Sequence, residues 1–203
     1  HLADLRAAAG DASPPRGFAR ALRRKKVPAP LSRIRIIAEV KHRSPSAGVL
    51  IDLFVPADIA RRYADAGADA ISCLTDREFF GGSIDHLREV RAAVPLPVLR
   101  KDFIIAPEQV YEARAAGADA ILLIAEALAQ AEMTDLAGLA GSFGMDVLAE
   151  AHSEQAAEGP DEERFGELIP FPSASEQSEQ EVFSLPGFED ETEREIMSKL
   201  DEI

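Results

Sequence analysis

The stretch that decides the architecture is Ala66-Gly67-Ala68-Asp69-Ala70-Ile71, which recurs unchanged at residues 116–121. Each copy follows a segment of helical composition, Ile59–Asp65 or Val110–Ala115. The glycine suits the left-handed conformation that ends a helix, and the apolar residues after the aspartate are typical of the start of a strand. The repeat therefore predicts two helix-to-strand joints of the same kind, which is the pattern of a βα architecture.

Apolar runs rich in Ile, Val and Leu extend outward from these joints. Their starts are roughly 20–35 residues apart, about the length of one βα unit. They do not alternate with polar residues, which is typical of strands buried on both faces of a parallel sheet. The predicted strands are Ile34–Val40, Asp69–Leu74, Pro97–Arg100, Asp119–Ile124 and Asp146–Leu148.

The other sequence features reduce the number of possible α/β architectures but do not select one. Ahead of the first strand, a helix that packs on the sheet is expected over Pro14–Lys26. Repeated βα units build either a closed barrel or an open doubly wound sheet, and both stay open at this point. No G-x-G-x-x-G follows a predicted strand, which argues against dinucleotide binding.

Charge divides the chain into two parts. Residues 154–203 hold 16 Asp/Glu against three Lys/Arg, which accounts for −13 of the net charge of −14. Gly159–Pro186 is rich in Ser, Glu, Gln and Pro, which predicts a linker or disorder, whereas Glu189–Ile203 has one apolar face and predicts a short helix. We therefore expect an α/β domain at residues 1–158 and an acidic tail at 159–203.

Composition excludes several classes of protein. No apolar run approaches the roughly 18 residues that a membrane span needs, and the N-terminus lacks the apolar segment of a signal peptide. The one cysteine, Cys73, lies in an apolar run and is expected in the core rather than as a nucleophile. The basic cluster Arg23–Lys26 is too short to indicate nucleic-acid binding. These features predict a cytoplasmic protein that binds neither membranes nor nucleic acid.

Ionisable residues stand where three predicted strands end. Glu39 and Lys41 end the first strand, Lys101 ends the third and Glu150 ends the fifth. The carboxyl ends of parallel strands carry the active site in α/β folds, and a curved sheet would bring these residues to one mouth. Two ammonium groups there indicate an anionic substrate. Their repulsion would weaken the hold of one lysine on its proton and make it a general acid near neutral pH.

Four motifs resemble, in order and spacing, those of the indole-3-glycerol-phosphate synthases. They are Ile36–Gly48, which contains Glu-Val-Lys-His-Arg-Ser-Pro-Ser, Leu74–Ser83, Leu99–Ile105 and Asp146–His152. The resemblance covers about residues 14–153. It implies a (β/α)8 TIM barrel, truncated here after about five βα units and followed by the acidic low-complexity tail.

The resemblance also implies an activity. The family converts 1-(2-carboxyphenylamino)-1-deoxyribulose 5-phosphate to indole-3-glycerol phosphate with loss of CO2 and water, as a carboxy-lyase of tryptophan biosynthesis. It uses no metal or organic cofactor. By resemblance, Lys101 is the general acid, Lys41 binds the substrate carboxylate and assists dehydration, and Glu150 handles the second proton transfer. The residues expected to position or bind the substrate are Glu39, Ser44, Pro45, Phe80 and Phe103.

Part of the family pattern is absent from the 203 residues. The family continues with a sixth strand carrying Gly-Ile-Asn-Asn-Arg-Asp, a seventh carrying Ser-Glu-Ser-Gly and a glycine-bearing eighth, which bind the phosphate. This chain therefore holds the acid–base half of the site and lacks the phosphate half. We expect little turnover by this chain alone, and self-association through exposed barrel edges.

Two alternatives accompany this reading. One is a catalytically inactive, truncated or rearranged barrel that acts, if at all, through its acidic tail as an interaction protein. The other is a different phosphate-binding barrel, such as a thiazole synthase or a phosphoribosylanthranilate isomerase. The Glu-x-Lys motif with its Ser-Pro-Ser, and the Arg-Lys-Asp-Phe motif, argue against the second alternative.

Overall fold

The computed structural model describes residues 2–23 and 34–151. Its α-helices are α1 (Leu2–Asp11), α2 (Phe18–Leu22), α3 (Pro56–Asp65), α4 (Ile84–Ala93), α5 (Pro107–Ala115) and α6 (Gln130–Ser142). Its strands are β1 (Ile37–Val40), β2 (Arg43–Ser44), β3 (Gly48–Val49), β4 (Ala70–Leu74), β5 (Val98–Lys101), β6 (Ala120–Ile124) and β7 (Asp146–Glu150). Among these helices, none is both long and apolar enough to cross a membrane.

Five strands form one parallel sheet in the order β1-β4-β5-β6-β7, which is also their order along the chain. A doubly wound sheet reverses direction at a switch point, whereas barrel strands pair with their neighbours in sequence. The order therefore matches the wall of a partial α/β barrel, the architecture expected from the sequence. β2 and β3 form a separate antiparallel hairpin directly after β1.

The sheet has a core on each face because its strands carry apolar residues at both odd and even positions. The outer core lies under the helices and includes Val40, Ile71, Cys73, Val98, Ile121 and Leu123. The inner core is smaller and consists of Phe18, Ala70, Leu99, Ala120 and Leu122. Phe18 belongs to α2, so this short helix covers the amino ends of the strands on the barrel side. Burial raises the pKa of Cys73 to about 12, which fits its predicted place in the core.

The repeated hexapeptide forms the predicted joint in both copies. Gly67 and Gly117 have φ values of 89° and 91°, the left-handed conformation, directly after α3 and α5. The following aspartates, Asp69 and Asp119, are buried. Each accepts the backbone N–H at the start of a neighbouring strand, from Ile36 at 3.0 Å or Val98 at 2.7 Å. The joint thus ends one helix and also ties the next strand to its neighbour.

The amino-terminal region differs from the prediction. Instead of one helix over Pro14–Lys26, the described part of that stretch holds only the five-residue α2, preceded by α1. The backbone N–H of Arg16 donates to Asp119 at 2.6 Å, and Gly17 has a φ of 77°. An amide bound to a distant carboxylate and a left-handed glycine prevent a helix from starting before Phe18. The expectations for 159–203 lie outside the described residues.

Candidate active site

Both lysines in the described residues stand at the carboxyl ends of strands. Lys101 is the last residue of β5 and pairs with Leu74 of β4. Cys73, the residue before Leu74, pairs with Val40 of β1. Lys41 follows Val40, so the register places the two lysines at the same level of the sheet. Residue alternation along the strands directs both side chains to the barrel side.

Glu39 joins the two lysines. Lys41 Nζ lies 2.9 Å from Glu39 Oε1, and Lys101 Nζ lies 3.2 Å from Glu39 Oε2. The side chains of Lys41, Glu39 and Lys101 are 22%, 31% and 36% exposed, so the cluster reaches solvent at the mouth. Burial raises the pKa of Glu39, but Lys101 and Lys41 outweigh burial and leave that pKa below its ordinary value. The site therefore holds one ionised carboxylate between two ammonium groups.

Glu150 ends β7, two strands away from Lys101. Its register partner is Ile124, and Leu148 on the same strand pairs with Leu122. Glu150 is two positions after Leu148 on the strand, so both project from the same face of the sheet. That face is the barrel side, because Leu122 and Leu148 pack in the inner core. The structure therefore brings Glu150 to the same mouth, one step further along the rim.

The loop after β4 has a defined shape. Asp76 Oδ1 accepts the backbone N–H groups of Phe79 and Phe80 at 2.7 and 3.0 Å. Burial raises the pKa of Asp76 above its ordinary value, although these hydrogen bonds act to lower it. A Cβ on Gly82 would lie 2.5 Å from the carbonyl oxygen of Leu74, so only glycine fits there. This loop supplies the aromatic side of the site.

Phe79, rather than Phe80, contacts the predicted pocket residue Phe103. The two rings meet edge to face with centroids 5.9 Å apart. Phe80 instead offers its carbonyl to the backbone N–H of Arg43 at 3.3 Å, which joins the loop to the hairpin after β1. Sequence reasoning missed Phe79, because two adjacent phenylalanines in a loop give no periodicity that would tell which one faces the site.

Ser44 and Pro45 lie at the tip of the hairpin formed by β2 and β3. Ser44 is buried, and its Oγ accepts the backbone N–H of Ala47 at 3.1 Å. Pro45 is exposed. The hydroxyl of Ser44 thus shapes the turn that holds Pro45 beyond the end of β1.

A separate cleft of about 540 Å³ lies between the loop after β1 and the start of α4. It is lined by His42, Asp52, Leu53, Phe54, Arg77, Gly81, Gly82, Ser83 and His86, and by none of the predicted site residues. Phe54 stacks on His42 at 4.8 Å and meets His86 edge-on at 5.1 Å. Burial lowers the pKa of His86 below its ordinary value. We place the chemistry at the lysine cluster, because the ionisable strand ends converge there.

Taken together, the mouth can bind an anion through two ammonium groups and transfer protons through lysine and carboxylate side chains. Within residues 2–23 and 34–151, no group of three or more His, Cys, Asp or Glu side chains is arranged to hold a metal ion.

Comparison with known proteins points to one family. The family model described as indole-3-glycerol phosphate synthase matches residues 1–159. An indole-3-glycerol phosphate synthase from Rhodospirillum rubrum is 53% identical over 154 residues, covering 76% of this chain and 57% of the relative. The corresponding protein from Roseiflexus sp. is 53% identical over 158 residues, covering 75% of this chain and 56% of the relative. The chain thus spans little more than half the length of these curated relatives.

Similarity to solved structures is weaker. A mutant mandelate oxidase solved with 3,3,3-trifluoro-2,2-dihydroxypropanoic acid has a TM-score of 0.45 and 19% identity, covering 58% of this chain and 42% of that chain. Similarity at this level supports no argument about function.

Proposed function

The chain belongs to the indole-3-glycerol phosphate synthase family, a family of TIM barrels, and on that premise we propose that it carries the acid–base half of the family's active site. The proposed reaction converts 1-(2-carboxyphenylamino)-1-deoxyribulose 5-phosphate to indole-3-glycerol phosphate, with loss of CO2 and water. The observation that carries the proposal is the pair of lysines that share Glu39 at the mouth of the barrel.

Lys101 is the proposed general acid. Ring closure places negative charge on the carbonyl oxygen of the ribulose chain, and an ammonium group can neutralise it by giving up a proton. Glu39 holds the Nζ of Lys101 at 3.2 Å and so fixes the direction from which that proton is delivered. A general acid in a fixed position accelerates a reaction more than a mobile one, because the orientation is established before the reaction.

Lys41 and Glu150 take the complementary proposed roles. The ammonium of Lys41 would bind the carboxylate of the substrate's aromatic ring, exchanging its contact with Glu39 for a contact with the substrate. It would then assist the later loss of water. Glu150, on the same face of the sheet, would accept the proton released in the second proton transfer. Glu39 would balance the charge of both lysines during these steps.

The proposed binding pocket for the aromatic ring lies beside the lysines. Phe103 follows Lys101 by two residues, and Ser44, Pro45 and Phe80 come from the two neighbouring loops. We add Phe79 to this set, because its ring packs against Phe103. Apolar walls with a cation at one edge fit a carboxyphenyl group.

The remaining proposals concern location and partners. A small phosphate-bearing substrate, no nucleic acid and no membrane, and a cytoplasmic location follow from the family and from the composition of the chain. Pairing of barrel edges with a second copy would follow from the edge positions that β1 and β7 hold in the sheet formed by the described residues. Comparison with known proteins favours the synthase reading over an inactive interaction protein.

A phosphate-free ligand tests the proposal on the chain as it is. Anthranilate carries the carboxyphenylamine part of the substrate and is fluorescent, so its binding can be followed directly. We expect Lys41→Met to weaken binding by about tenfold, the loss of one charge-assisted hydrogen bond. The control Arg88→Met removes a half-exposed cation on α4 that is paired with Asp85 and not with the lysine cluster, and should leave binding unchanged. Equal binding by the wild type and Lys41→Met would overturn the proposal.

The complete reaction tests whether this chain carries the acid–base half of the site without the phosphate-binding half. Fluorescence of the indole product should be weak with the chain alone and should rise when a fragment carrying the missing strands of a relative is added. The phosphate contacts of those strands position the reacting atoms, so their loss lowers the rate as well as the affinity. Strong turnover by the chain alone would show that it assembles a full site, for example by dimerising.

A further inference from the structure

A cluster of polar side chains is buried directly behind Lys101. Arg100, the residue before it, is only 4% exposed although it carries a full charge. Side chains alternate along a strand, so Arg100 points away from the barrel mouth while Lys101 points into it. Burying a guanidinium costs desolvation free energy unless all of its donors are bound. The partners of Arg100 therefore decide whether it can stay buried.

Arg100 forms a closed triangle with Thr75 and Asp102. Its Nε donates to Thr75 Oγ1 at 3.0 Å, and its Nε and Nη2 donate to Asp102 Oδ2 at 3.2 and 2.9 Å. Thr75 Oγ1 donates to the same Asp102 oxygen at 2.6 Å. The backbone N–H of Thr75 donates to the carbonyl of Lys101 at 3.0 Å, and that of Phe103 donates to Asp102 Oδ1 at 2.9 Å. The backbone is thus held on both sides of Lys101.

The triangle is tied to α5. Arg100 Nη1 donates to the carbonyl of Gln109 at 2.9 Å and lies 2.8 Å from Glu112 Oε2. The side chain of Gln109 in turn accepts the backbone N–H of Ile105 at 2.8 Å and donates to the carbonyl of Phe103 at 2.7 Å. The loop that follows Lys101 therefore has its own backbone groups bound by side chains of a helix, which leaves it little freedom to move.

We propose that Thr75, Arg100 and Asp102, together with the Gln109 side chain that binds the loop after them, are positioning residues that hold Lys101 against Glu39. Lysine has a flexible four-carbon stem, so the place of its ammonium depends on how firmly its backbone is fixed. A cluster of apolar residues could fill the same space at lower cost in desolvation, but it could not bind the backbone of the strand end in one defined geometry. The proposal rests on the proposed function only in treating Lys101 as the reactive group.

Competitive acetylation of the full chain tests this proposal without turnover. An amine reacts only when it has left its carboxylate partner and lost its proton, so the acetylation rate reports how firmly a lysine is held. Lys41 and Lys101 are the only lysines in residues 2–23 and 34–151, and peptide mass spectrometry reports each of them separately. Each rate is expressed relative to the rate of the same lysine in the denaturant-unfolded chain.

Thr75→Val removes the hydroxyl with almost no change of volume, and Thr75→Ser restores it. We expect the relative rate at Lys101 to rise about fivefold in Thr75→Val, the change in an equilibrium that one ordinary hydrogen bond produces. The rate at Lys41 should stay constant, and Thr75→Ser should return Lys101 to the wild-type rate. Gln109→Ala, at a partly exposed position, is the second variant and should raise the Lys101 rate in the same way.

Two results would overturn the proposal. One is an unchanged Lys101 rate in Thr75→Val, or in Gln109→Ala if Thr75→Val does not fold. The other is an equal rise at Lys41 and Lys101, which would mean that the cluster supports the fold in general and not Lys101 in particular. Because no substrate is present, these outcomes are independent of the anthranilate experiment that tests the synthase proposal.

Discussion

The two ends of the parallel sheet both carry charged residues, but they use them differently. At the amino ends, Asp119 is fully buried and accepts hydrogen bonds from the Arg16 and Val98 backbones and from the Arg91 guanidinium. At the carboxyl ends, Lys101 is about a third exposed and shares the single carboxylate of Glu39 with Lys41. A buried charge whose hydrogen bonds are all made, such as Asp119, stabilises the fold. A partly exposed charge that shares its partner, such as Lys101, can exchange that partner for a ligand.

The backbone explains why the amino ends need carboxylates. The first N–H groups of parallel strands would lack partners at the edge of the sheet, and aspartates directly before β4 and β6 accept them. The same geometry gives the carboxyl ends free space above the barrel core, where long side chains of Lys and Glu can meet. The difference between the two ends predicts which substitutions affect activity and which affect stability.

The largest expected effect is on the rate. Lys101→Ala should lower product formation by about 10²–10⁴-fold in the mixture of this chain with the complementing fragment, the usual contribution of a general acid. Thermal unfolding of the variant should remain close to that of the wild type, because the Lys101 side chain is partly exposed. Turnover that survives Lys101→Ala would remove this lysine from the chemistry.

The amino end should respond in the opposite way. Asp119→Asn leaves one acceptor oxygen for donors that now bind two, and it removes the counter-charge of the largely buried Arg91 guanidinium. We expect the free energy of unfolding to fall by about 3 kcal/mol, measured by denaturant titration. Asp85→Asn, at an exposed position on α4, is the matched control and should change stability little. A small effect at Asp119 would contradict the assignment of the amino end to stability.

Gly82 tests whether a residue at the carboxyl end can also affect stability, because it lies in the loop after β4 at the rim of the barrel. A Cβ there would lie 2.5 Å from the carbonyl oxygen of Leu74 and 2.7 Å from that of Asp76. Gly82→Ala should therefore destabilise the fold by about 1–3 kcal/mol through overpacking. Gly138, on an exposed face of α6 with nothing within 4 Å, gives a control of opposite sign. Gly138→Ala should stabilise the chain by about 0.5–1 kcal/mol, since alanine is the better helix former.

The smallest expected effect is on the pH dependence of the free energy of unfolding. The lysines hold the pKa of Glu39 below its ordinary value of 4.5 even though burial raises it. A carboxyl whose folded-state pKa is lowered stabilises the fold above its unfolded pKa, and that contribution is lost as the pH falls through the folded pKa. Glu39→Gln should thus be less stable than the wild type at pH 7 by on the order of 0.5 kcal/mol, a value reduced by solvent screening.

This difference should disappear below the folded pKa of Glu39, so the two unfolding curves should converge in acid. Chemical unfolding at a series of pH values between 7 and 2 measures the convergence. Parallel pH profiles for the wild type and Glu39→Gln would show that the lysines do not hold Glu39 in its ionised form.

Much of this arrangement could be predicted from local features of the chain. The succession of strands and helices follows from apolar runs and from the left-handed glycines Gly67 and Gly117. The placement of Lys41, Lys101 and Glu150 at strand ends follows from the same runs, because a strand that ends in a charge must end at the edge of the core. Family motifs then indicated a chemistry for those positions.

Other features required the tertiary structure. Phe79 rather than Phe80 meets Phe103, and Arg100 is buried despite its charge. No local pattern distinguishes adjacent phenylalanines, and an arginine at a strand end is usually solvated, so neither result was open to sequence reasoning. The helix predicted over Pro14–Lys26 begins only at Phe18 for a similar reason, since a distant aspartate binds the backbone of Arg16.

The sequence by itself determined the order of elements, the helix ends and the residue types at the mouth, because backbone conformation and apolar periodicity act over a few residues. Only the tertiary structure decided which of those residues touch. Glu39 and Lys101 are 62 residues apart, and Arg16 and Asp119 are 103 apart. The register of the strands brings Glu39 to Lys101, and the packing of the amino-terminal segment on the sheet brings Arg16 to Asp119. Both depend on the assembled sheet, since register is fixed only when every strand packs at once.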